Sequence, residues 1–535
     1  MEPRFPWRFL TLALITAWLF DQLFWLKVPG ISFPIWVLIC LIALWSLAWG
    51  EKIKPAVMTY LLAGLSLLTA MVVFLRGDGF TRVLAALITL GALSLLIATF
   101  RSGRWFFYRV SDYFIAAFWG MVAAFVRPLS LIRALLATGG DRKSSTDNRH
   151  TLIRKSMPFI RGLLLAIPVL LVLSGLLASA DMIFRQRMFD LFKIFDLGRF
   201  PEYLFRFIYI VFFSYVFCGL FLHAILPSRS DSGVDQPKSW IKPFLGMIES
   251  GIVLSLVDIL FLLFVFIQVR YLFGGEANIS ETGFTYSEYA RRGFGELVAV
   301  AILSLLLYLA LGRITKQEKR IERVIFAALS TLLILLVLVL LASAFQRLFL
   351  YENAYGFTRL RTYTHVFILW MAVLLLSVIG LEAFQRRRFF MTAWLLSVFG
   401  FILTLGVVNV DGFIAARNLL GRQENGIVDI DYLRGLSADA VPAMIKGYLS
   451  AELSESEKEA LGAELACRTT MAENARNERP WQSYNLAEDR GLRWLRAYQE
   501  LWQGQYRVEQ IDLSWYVTSG NQTVPCRPVW LDDID

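Results

Sequence analysis

The sequence predicts an all-α polytopic membrane protein with a small extramembrane domain at its C-terminus. Of 535 residues, 57% are hydrophobic and only 18% are charged, whereas about a quarter of the residues in a soluble protein are charged. Apolar runs of about twenty residues, the length that crosses a bilayer as a helix, recur from Phe9 to about Val408. These runs lack the apolar–polar alternation of membrane strands. Helices are therefore the predicted spanning elements.

Eleven spans are predicted, and one further stretch is ambiguous. The first span is interpreted as a retained helix because no small-residue cleavage pattern follows it. The ambiguous stretch, 106–126, is apolar but contains Arg109 and Asp112. We predict an amphipathic or re-entrant helix there, with twelve spans as the alternative. The predicted spans are 9–28, 31–50, 56–75, 82–100, 158–178, 203–225, 247–270, 293–312, 322–345, 362–382 and 389–408.

Positive charges predict the sidedness of these spans. The loops 313–323 and 383–388 are rich in Lys and Arg, which collect on the cytoplasmic side of a membrane. The stretch 101–157 holds ten Lys/Arg and three Asp, and it lies wholly inside if 106–126 does not cross. This arrangement predicts a cytoplasmic N-terminus and an extracytoplasmic tail from about Val410.

The tail differs in composition from the rest of the chain. It carries 20 Asp/Glu and 13 Lys/Arg, whereas the remainder has a net charge of +17. The basic residues sit at span ends, so no nucleic-acid partner is predicted. Ser454 and Glu457 form a capping-box pattern, and Ser519-Gly520-Asn521 has the features of a hairpin turn. We therefore expect an α or α+β tail domain.

The predicted spans and their sidedness divide the chain into three regions. They are a four-span region with a cytoplasmic interfacial helix (1–157), a seven-span core (158–409) and an acidic extracytoplasmic domain (410–535).

Two of the four cysteines, Cys467 and Cys526, lie in the tail. An even pair on an oxidising side is typical of a disulfide, and two free thiols are the alternative. The chain has three histidines and no Cys/His cluster. Neither a metal nor another cofactor is therefore expected.

Two acids, Asp21 and Asp258, lie inside predicted spans. An ionised Asp at mid-membrane costs about 2.5–3.5 kcal/mol and often marks function. No cation at a matching depth is evident in another span. Asp258 is therefore either a protonated residue hydrogen-bonded to a neighbouring helix or a proton-linked group facing the bundle interior. For Asp21, closer to the outer surface, the first interpretation is favoured.

Polar residues are concentrated at the outer span ends. Arginine there opposes the positive-inside bias and needs an explanation. One explanation is an anionic ligand, because Arg binds carboxylate or phosphate bidentately. The other is that these residues cap helices and dock the tail. The candidates are Arg270, Tyr289, Arg292, Glu296, Arg361, Tyr363, His365, Asp411 and Arg417, of which Arg292, Glu296, Arg361, His365 and Asp411 are expected to converge.

Five strings together resemble a bacterial multi-pass membrane family, the domain of unknown function numbered 4173. They are TYSEYARRGFGELVAV, RLRTYTHVFILW, NVDGFIAARN, DIDYLRGLSADAVPAM and RGLLLAIPVLLVLSGLLASAD, within residues 155–450. The resemblance implies a bacterial cytoplasmic membrane, with the tail in the periplasm or outside. It brings no established activity and no catalytic residue.

The leading functional hypothesis is a non-catalytic inner-membrane sensor, scaffold or assembly partner that acts through its outer face. Its expected partners are the lipid bilayer and either another membrane or envelope protein or an anionic ligand. A proton-linked transporter using Asp258 is the first alternative. A membrane transferase with a lipid-linked substrate is the second alternative. The first outer loop of this chain is only Lys27–Gly30, which weakens that hypothesis. Neither a P-loop nor a nucleophile elbow is present.

Overall fold

The predicted all-α polytopic fold is confirmed in the computed structural model of the chain. The structure describes residues 3–108, 110–138, 200–226, 243–272, 294–420, 428–512, 514–519 and 522–526. Within these ranges, ten helices are long and apolar enough to cross a membrane. A small domain of helices and strands follows them.

The membrane region contains eleven of the described helices, numbered here along the chain. Ten are the candidate spans, and α1 is the additional helix. Their bounds are α1 Pro6–Phe24, α2 Ser32–Gly50, α3 Val57–Leu75, α4 Gly79–Thr99, α5 Val110–Thr138, α6 Phe200–Ile225, α7 Met247–Leu272, α8 Phe294–Ile314, α9 Arg320–Tyr355, α10 Arg359–Ala383 and α11 Phe390–Val408.

The ambiguous stretch 106–126 forms the end of a one-turn helix, Arg104–Phe107, and most of α5. α5 is one continuous helix of 29 residues, and its position along or across the membrane stays a prediction. Its segment Asp112–Leu131 meets the length and composition of a span. The predicted span 158–178 lies outside the described residues.

The chain divides into two compact units. One comprises Met1–Gln22 and Met121–Leu226, and the other comprises Leu23–Gly120 and Pro227–Asp535. The core of the second unit lies where α9 contacts α7, α8 and α10. Buried Leu333, Leu340 and Leu375 belong to that core.

The tail begins as α11 ends. Asn409 adopts a left-handed conformation with φ 55°, which separates α11 from the next helix. The tail elements are α12 Val410–Leu420, α13 Ile430–Arg434, α14 Val441–Leu449, α15 Glu455–Glu478, α16 Leu486–Tyr498, α17 Glu500–Gln503, β1 Arg507–Ile511, β2 Ser514–Ser519 and β3 Gln522–Pro525.

Local sequence signals explain two features of the tail. The capping box starts α15, where the Ser454 amide donates to Glu457 Oε2 at 2.9 Å. Hydrogen bonds from the Ser454 hydroxyl, the Val428 amide and the Ser454 amide lower the pKa of the Glu457 carboxyl, because they favour its charged form. The strands form an antiparallel sheet of order β1-β2-β3, and Ser519 pairs with Gln522 at the predicted hairpin.

Candidate functional site

A group of paired charges lies at the end of the bundle that faces the tail. Arg359, the first residue of α10, donates from Nε to Asp411 Oδ1 at 2.8 Å and from Nη2 to Asp411 Oδ2 at 2.6 Å. Asp411 is only 1% exposed, and it lies in the first turn of α12, where a helix favours a negative charge. This bidentate pair joins the last bundle hairpin to the tail.

Asp78 adds a second carboxylate to this group. It is the N-cap of α4, and its Oδ2 accepts the Thr81 amide at 3.0 Å. The same oxygen accepts the hydroxyl of Tyr363 at 2.5 Å. Asp78 Oδ1 lies 3.7 Å from Arg359 Nε. The Arg359 guanidinium therefore lies between two acids from different parts of the chain.

A third acid, Asp439, comes from the tail. Its carboxylate accepts the Gly77 amide at 2.7 Å and Arg76 Nη1 at 3.2 Å. Arg76 also donates from Nε to the carbonyl of Gly406 at 2.6 Å. Burial raises the pKa of the Asp439 carboxyl, and the hydrogen bonds from Gly77 and Arg76 oppose that shift. We call the whole group the docking cluster, and its members are Arg76, Asp78, Arg359, Tyr363, Asp411 and Asp439.

Backbone groups of the tail complete the docking cluster. The Ser437 amide donates to Asp411 Oδ2 at 2.7 Å, and the Arg359 amide donates to the hydroxyl of Tyr432 at 2.7 Å. Asn485 Nδ2 donates to the carbonyl of Arg76 at 2.9 Å. The bond between Asn485 and Arg76 joins residues that are 409 positions apart in the sequence. Together, these bonds fix the tail against the ends of helices that are distant in the sequence.

Close backbone approach marks a second part of the same contact. The Ile31 amide donates to the carbonyl of Tyr484 at 2.8 Å. A Cβ on Gly30 would lie 2.5 Å from that carbonyl oxygen. Only glycine therefore fits at position 30 while the tail packs against the start of α2.

Beside the docking cluster is a cavity of about 590 Å³ between α9, α10 and α12. Apolar side chains form most of its wall. Its polar members include Glu352, His365 and Arg417, and its apolar members are Phe345, Phe349, Phe357, Val366, Val408 and Phe413. We call it the α9–α12 cavity.

Comparison with known families gives a match that covers most of the chain. The profile of a domain of unknown function, DUF4153, matches residues 63–447. The chain belongs to the DUF4153 family. The resemblance to the domain type numbered 4173 is not confirmed. No curated protein and no solved structure matches the chain.

The candidates predicted at the span ends occupy several places in this DUF4153 protein. Asp411 and Tyr363 belong to the docking cluster. His365 and Arg417 line the α9–α12 cavity. Arg361 donates to the carbonyl of Gly356 and lies over the ring of Tyr351 at 4.0 Å, so it caps the turn between α9 and α10.

The other candidates at the span ends cannot be assigned to either site. Glu296 is exposed in the first turn of α8. The side chain of Arg270 and all of Tyr289 and Arg292 lie outside the described residues.

Sequence reasoning missed the charges that complete the site. Arg76 and Asp78 follow the third span, and Asp78 precedes Thr81 in an N-cap pattern that was available as a signal. Glu352 and Asp439 carried no comparable local signal. Arg359 was visible at the start of the tenth span but had no predicted partner.

The two acids within the spans have different surroundings. Asp258 on α7 is 2% exposed, and neither of its carboxylate oxygens has a hydrogen-bond partner among the described residues. Asp21 is fully buried and pairs with Arg206, whose Nε lies 3.1 Å from Asp21 Oδ1. The favoured interpretation of Asp21 as a protonated residue without a cation is therefore wrong. Arg206, near the start of α6, was overlooked.

The disulfide candidate joins two tail elements. Cys467 of α15 is bonded to Cys526, which follows β3, with a Cα–Cα distance of 5.7 Å. The other two cysteines, Cys40 and Cys218, are buried and free.

Proposed function

We propose that this DUF4153 protein is a cytoplasmic-membrane scaffold or sensor that presents its tail domain in a fixed position on the outer face. The docking cluster is the observation that carries this proposal. A tail on a flexible tether would gain nothing from two buried acids, Asp411 and Asp439, that pair with two arginines of the bundle. Buried pairs of this kind are weak evidence for stability but are suited to specifying one arrangement.

The distribution of positive charge supports an outer position for the tail. The arginine-rich turn between α10 and α11 lies at the same end of the bundle as residues 104–107, because Phe389 contacts the rings of Phe106 and Phe107. Thr392 donates to the carbonyl of Phe106 at 2.6 Å. The docking cluster lies at the opposite helix ends. Since Lys and Arg collect inside, the tail side is the outer side.

The eleven-span topology rests on the charge pattern. The stretch 101–157, which contains α5, holds ten Lys/Arg and three Asp, and such an excess collects on the inner side of a membrane. We therefore place α5 along the inner surface.

Reporter fusions are expected to show this topology. A periplasmic reporter fused after Asp535 should be active, and a cytoplasmic reporter inserted near Lys143 should be active. The reason is the excess of Lys and Arg in 101–157 and 313–323. A cytoplasmic C-terminus would contradict both the number of spans and the outer position of the docking cluster.

The functional test is complementation of a deletion strain with two matched variants. Asp439→Ala removes the acceptor of Gly77 and Arg76 but leaves the Arg359–Asp411 pair intact. We expect Asp439→Ala to insert at normal levels and to fail to complement the deletion, because the tail is no longer fixed. Asp258→Asn should complement the deletion and restore the wild-type phenotype. Complementation by Asp439→Ala would contradict the scaffold proposal.

A proton-linked transporter is the second candidate function, and the burial of Asp258 is the observation that favours it. Asparagine has nearly the same shape as a protonated aspartate, so Asp258→Asn is expected to insert and fold normally. Loss of proton-coupled uptake or efflux at normal expression would establish the transporter. Failure of this variant to insert would instead indicate an ionised Asp258 with a cationic partner.

A membrane transferase is not proposed. That hypothesis requires an open outer cavity lined by Arg and Asp. The arginines and aspartates of the docking cluster are instead paired with one another.

A further inference from the structure

The α9–α12 cavity contains an acid that the docking cluster does not use. Glu352 lies one turn before the end of α9 and is 1% exposed. His365 Nδ1 is 3.1 Å from Glu352 Oε2. The geometry is not that of a hydrogen bond, and among the described residues neither carboxylate oxygen of Glu352 has a hydrogen-bond partner. The cavity therefore holds a buried acid with unused acceptors.

A buried carboxylate without hydrogen bonds is costly, and a cation that donates to it removes that cost. The described part of the chain places no Lys or Arg within ion-pair distance of Glu352. His365 approaches only one oxygen of Glu352, Oε2. Its other ring nitrogen, Nε2, has no hydrogen-bond partner among the described residues. Among the described residues, the acceptors of Glu352 therefore remain without a hydrogen-bond donor.

The walls of the cavity favour an organic cation over a hydrated ion. Phenylalanine rings come from three separate helices or turns: Phe345 and Phe349 on α9, Phe357 before α10, and Phe413 on α12. Aromatic faces attract ammonium groups and also pack against hydrocarbon. A metal ion would need several strong ligands, whereas the described residues contain no group of three or more His, Cys, Asp or Glu side chains that could hold one.

We propose that the α9–α12 cavity binds a ligand with a primary ammonium head and an apolar body. The ammonium group donates to Glu352, and the phenylalanine rings surround the adjacent carbon atoms. Arg417 is exposed at the cavity and lies 5.5 Å over the ring of Phe413, where it can bind a phosphate or carboxylate on the same ligand. This assignment is independent of the proposed scaffold function.

Two sources share this chemistry: an amine-bearing phospholipid headgroup and a free amphiphilic amine. Glu352 lies near the end of the apolar part of α9, at the level where headgroups meet hydrocarbon. Both sources can therefore reach the cavity, and the experiment separates them.

The test uses the full-length protein purified in maltoside detergent. Binding of dodecylamine is measured by calorimetry beside dodecanol, which has the same chain length and no charge. We expect saturable binding of the amine and at least about tenfold weaker binding of the alcohol, the scale of a lost charge-assisted hydrogen bond. Equal binding of the two compounds by the wild-type protein would overturn the proposal without any variant.

Two variants then locate the site. Glu352→Gln keeps the size of the side chain and should weaken amine binding by about tenfold or more, since only the charge is removed. Glu296→Gln changes an exposed acid on α8 and should leave binding unchanged. Unchanged amine binding in Glu352→Gln would overturn the assignment of the cavity.

The source is determined by exchanging the protein into vesicles of phosphatidylethanolamine, phosphatidylcholine or phosphatidylglycerol and identifying retained lipid by native mass spectrometry. Retention of phosphatidylethanolamine alone, lost in Glu352→Gln, assigns a lipid headgroup. Binding of dodecylamine with no lipid preference assigns a free amine. Absence of both overturns the proposal.

Discussion

Replacing Asp411 by alanine is expected to destabilise the protein by about 3 kcal/mol. This value is at the lower end of the range for breaking a buried ion pair, because the Arg359 side chain is 34% exposed while the Asp411 side chain is fully buried. The variant leaves the Ser437 amide without its acceptor as well. The melting temperature in detergent should fall, and the tail should become sensitive to protease before the bundle does.

The control is Asp431→Ala in the same domain. Asp431 pairs with Arg434 at 2.8 Å, but its side chain is 73% exposed. An exposed pair is worth about 0–1 kcal/mol, so this variant should melt near the wild type. Equal melting of the Asp411 and Asp431 variants would show that the docking cluster does not hold the tail.

Removal of the tail disulfide is the second change with a large expected effect. The bond closes a loop across 59 residues of sequence separation, which the chain-entropy model values at about 4 kcal/mol. Cys467→Ala combined with Cys526→Ala should therefore expose the tail to protease while the membrane helices stay folded. The paired change avoids leaving one reactive thiol.

Thiol labelling checks the bond in the native protein. After denaturation without reductant, only Cys40 and Cys218 should react, because they are the free cysteines of the structure. After reduction, all four should react. Labelling of Cys467 and Cys526 before reduction would contradict the bond.

The parts of the fold that sequence could predict are those with local signals. Apolar length predicted the described membrane helices other than α5, and the Ser454–Glu457 box predicted the start of α15. The turn at Ser519-Gly520-Asn521 predicted the β2–β3 hairpin. Each of these depends on residues within a few positions or within one helix, where propensity and hydrophobic pattern act directly.

The partners of the buried charges could not be predicted in this way. Arg76 and Asp439 are 363 residues apart, and Arg206 and Asp21 are 185 apart. The sequence shows that a charge lies near a helix end, but it does not show which helix ends meet. That choice depends on packing across the bundle and on the way the tail folds back.

The position of α5 relative to the membrane shows a different limitation of sequence-based prediction. Its apolar composition fits a span, while Arg109, Asp112 and the surrounding basic residues fit a surface helix. Composition alone gives no decision between these positions.

The central claim is that the tail is fixed on the bundle, and an engineered disulfide between Gly77 and Ser437 tests it most directly. A Cβ on Gly77 would lie 3.3 Å from the Cβ of Ser437, close to the separation of about 3.5–4.5 Å in disulfides. Gly79 is the control position, because a Cβ there has no atom within 4 Å.

The measurement uses membranes from cells that express Gly77→Cys with Ser437→Cys, in a chain with a protease site inserted between Leu420 and Val428. Cys40 and Cys218 are changed to alanine. After cleavage, the two fragments should remain joined on a non-reducing gel and separate on reduction, whereas Gly79→Cys with Ser437→Cys should give separate fragments. Separate fragments from the Gly77 pair, with both thiols open to labelling, would contradict a fixed tail.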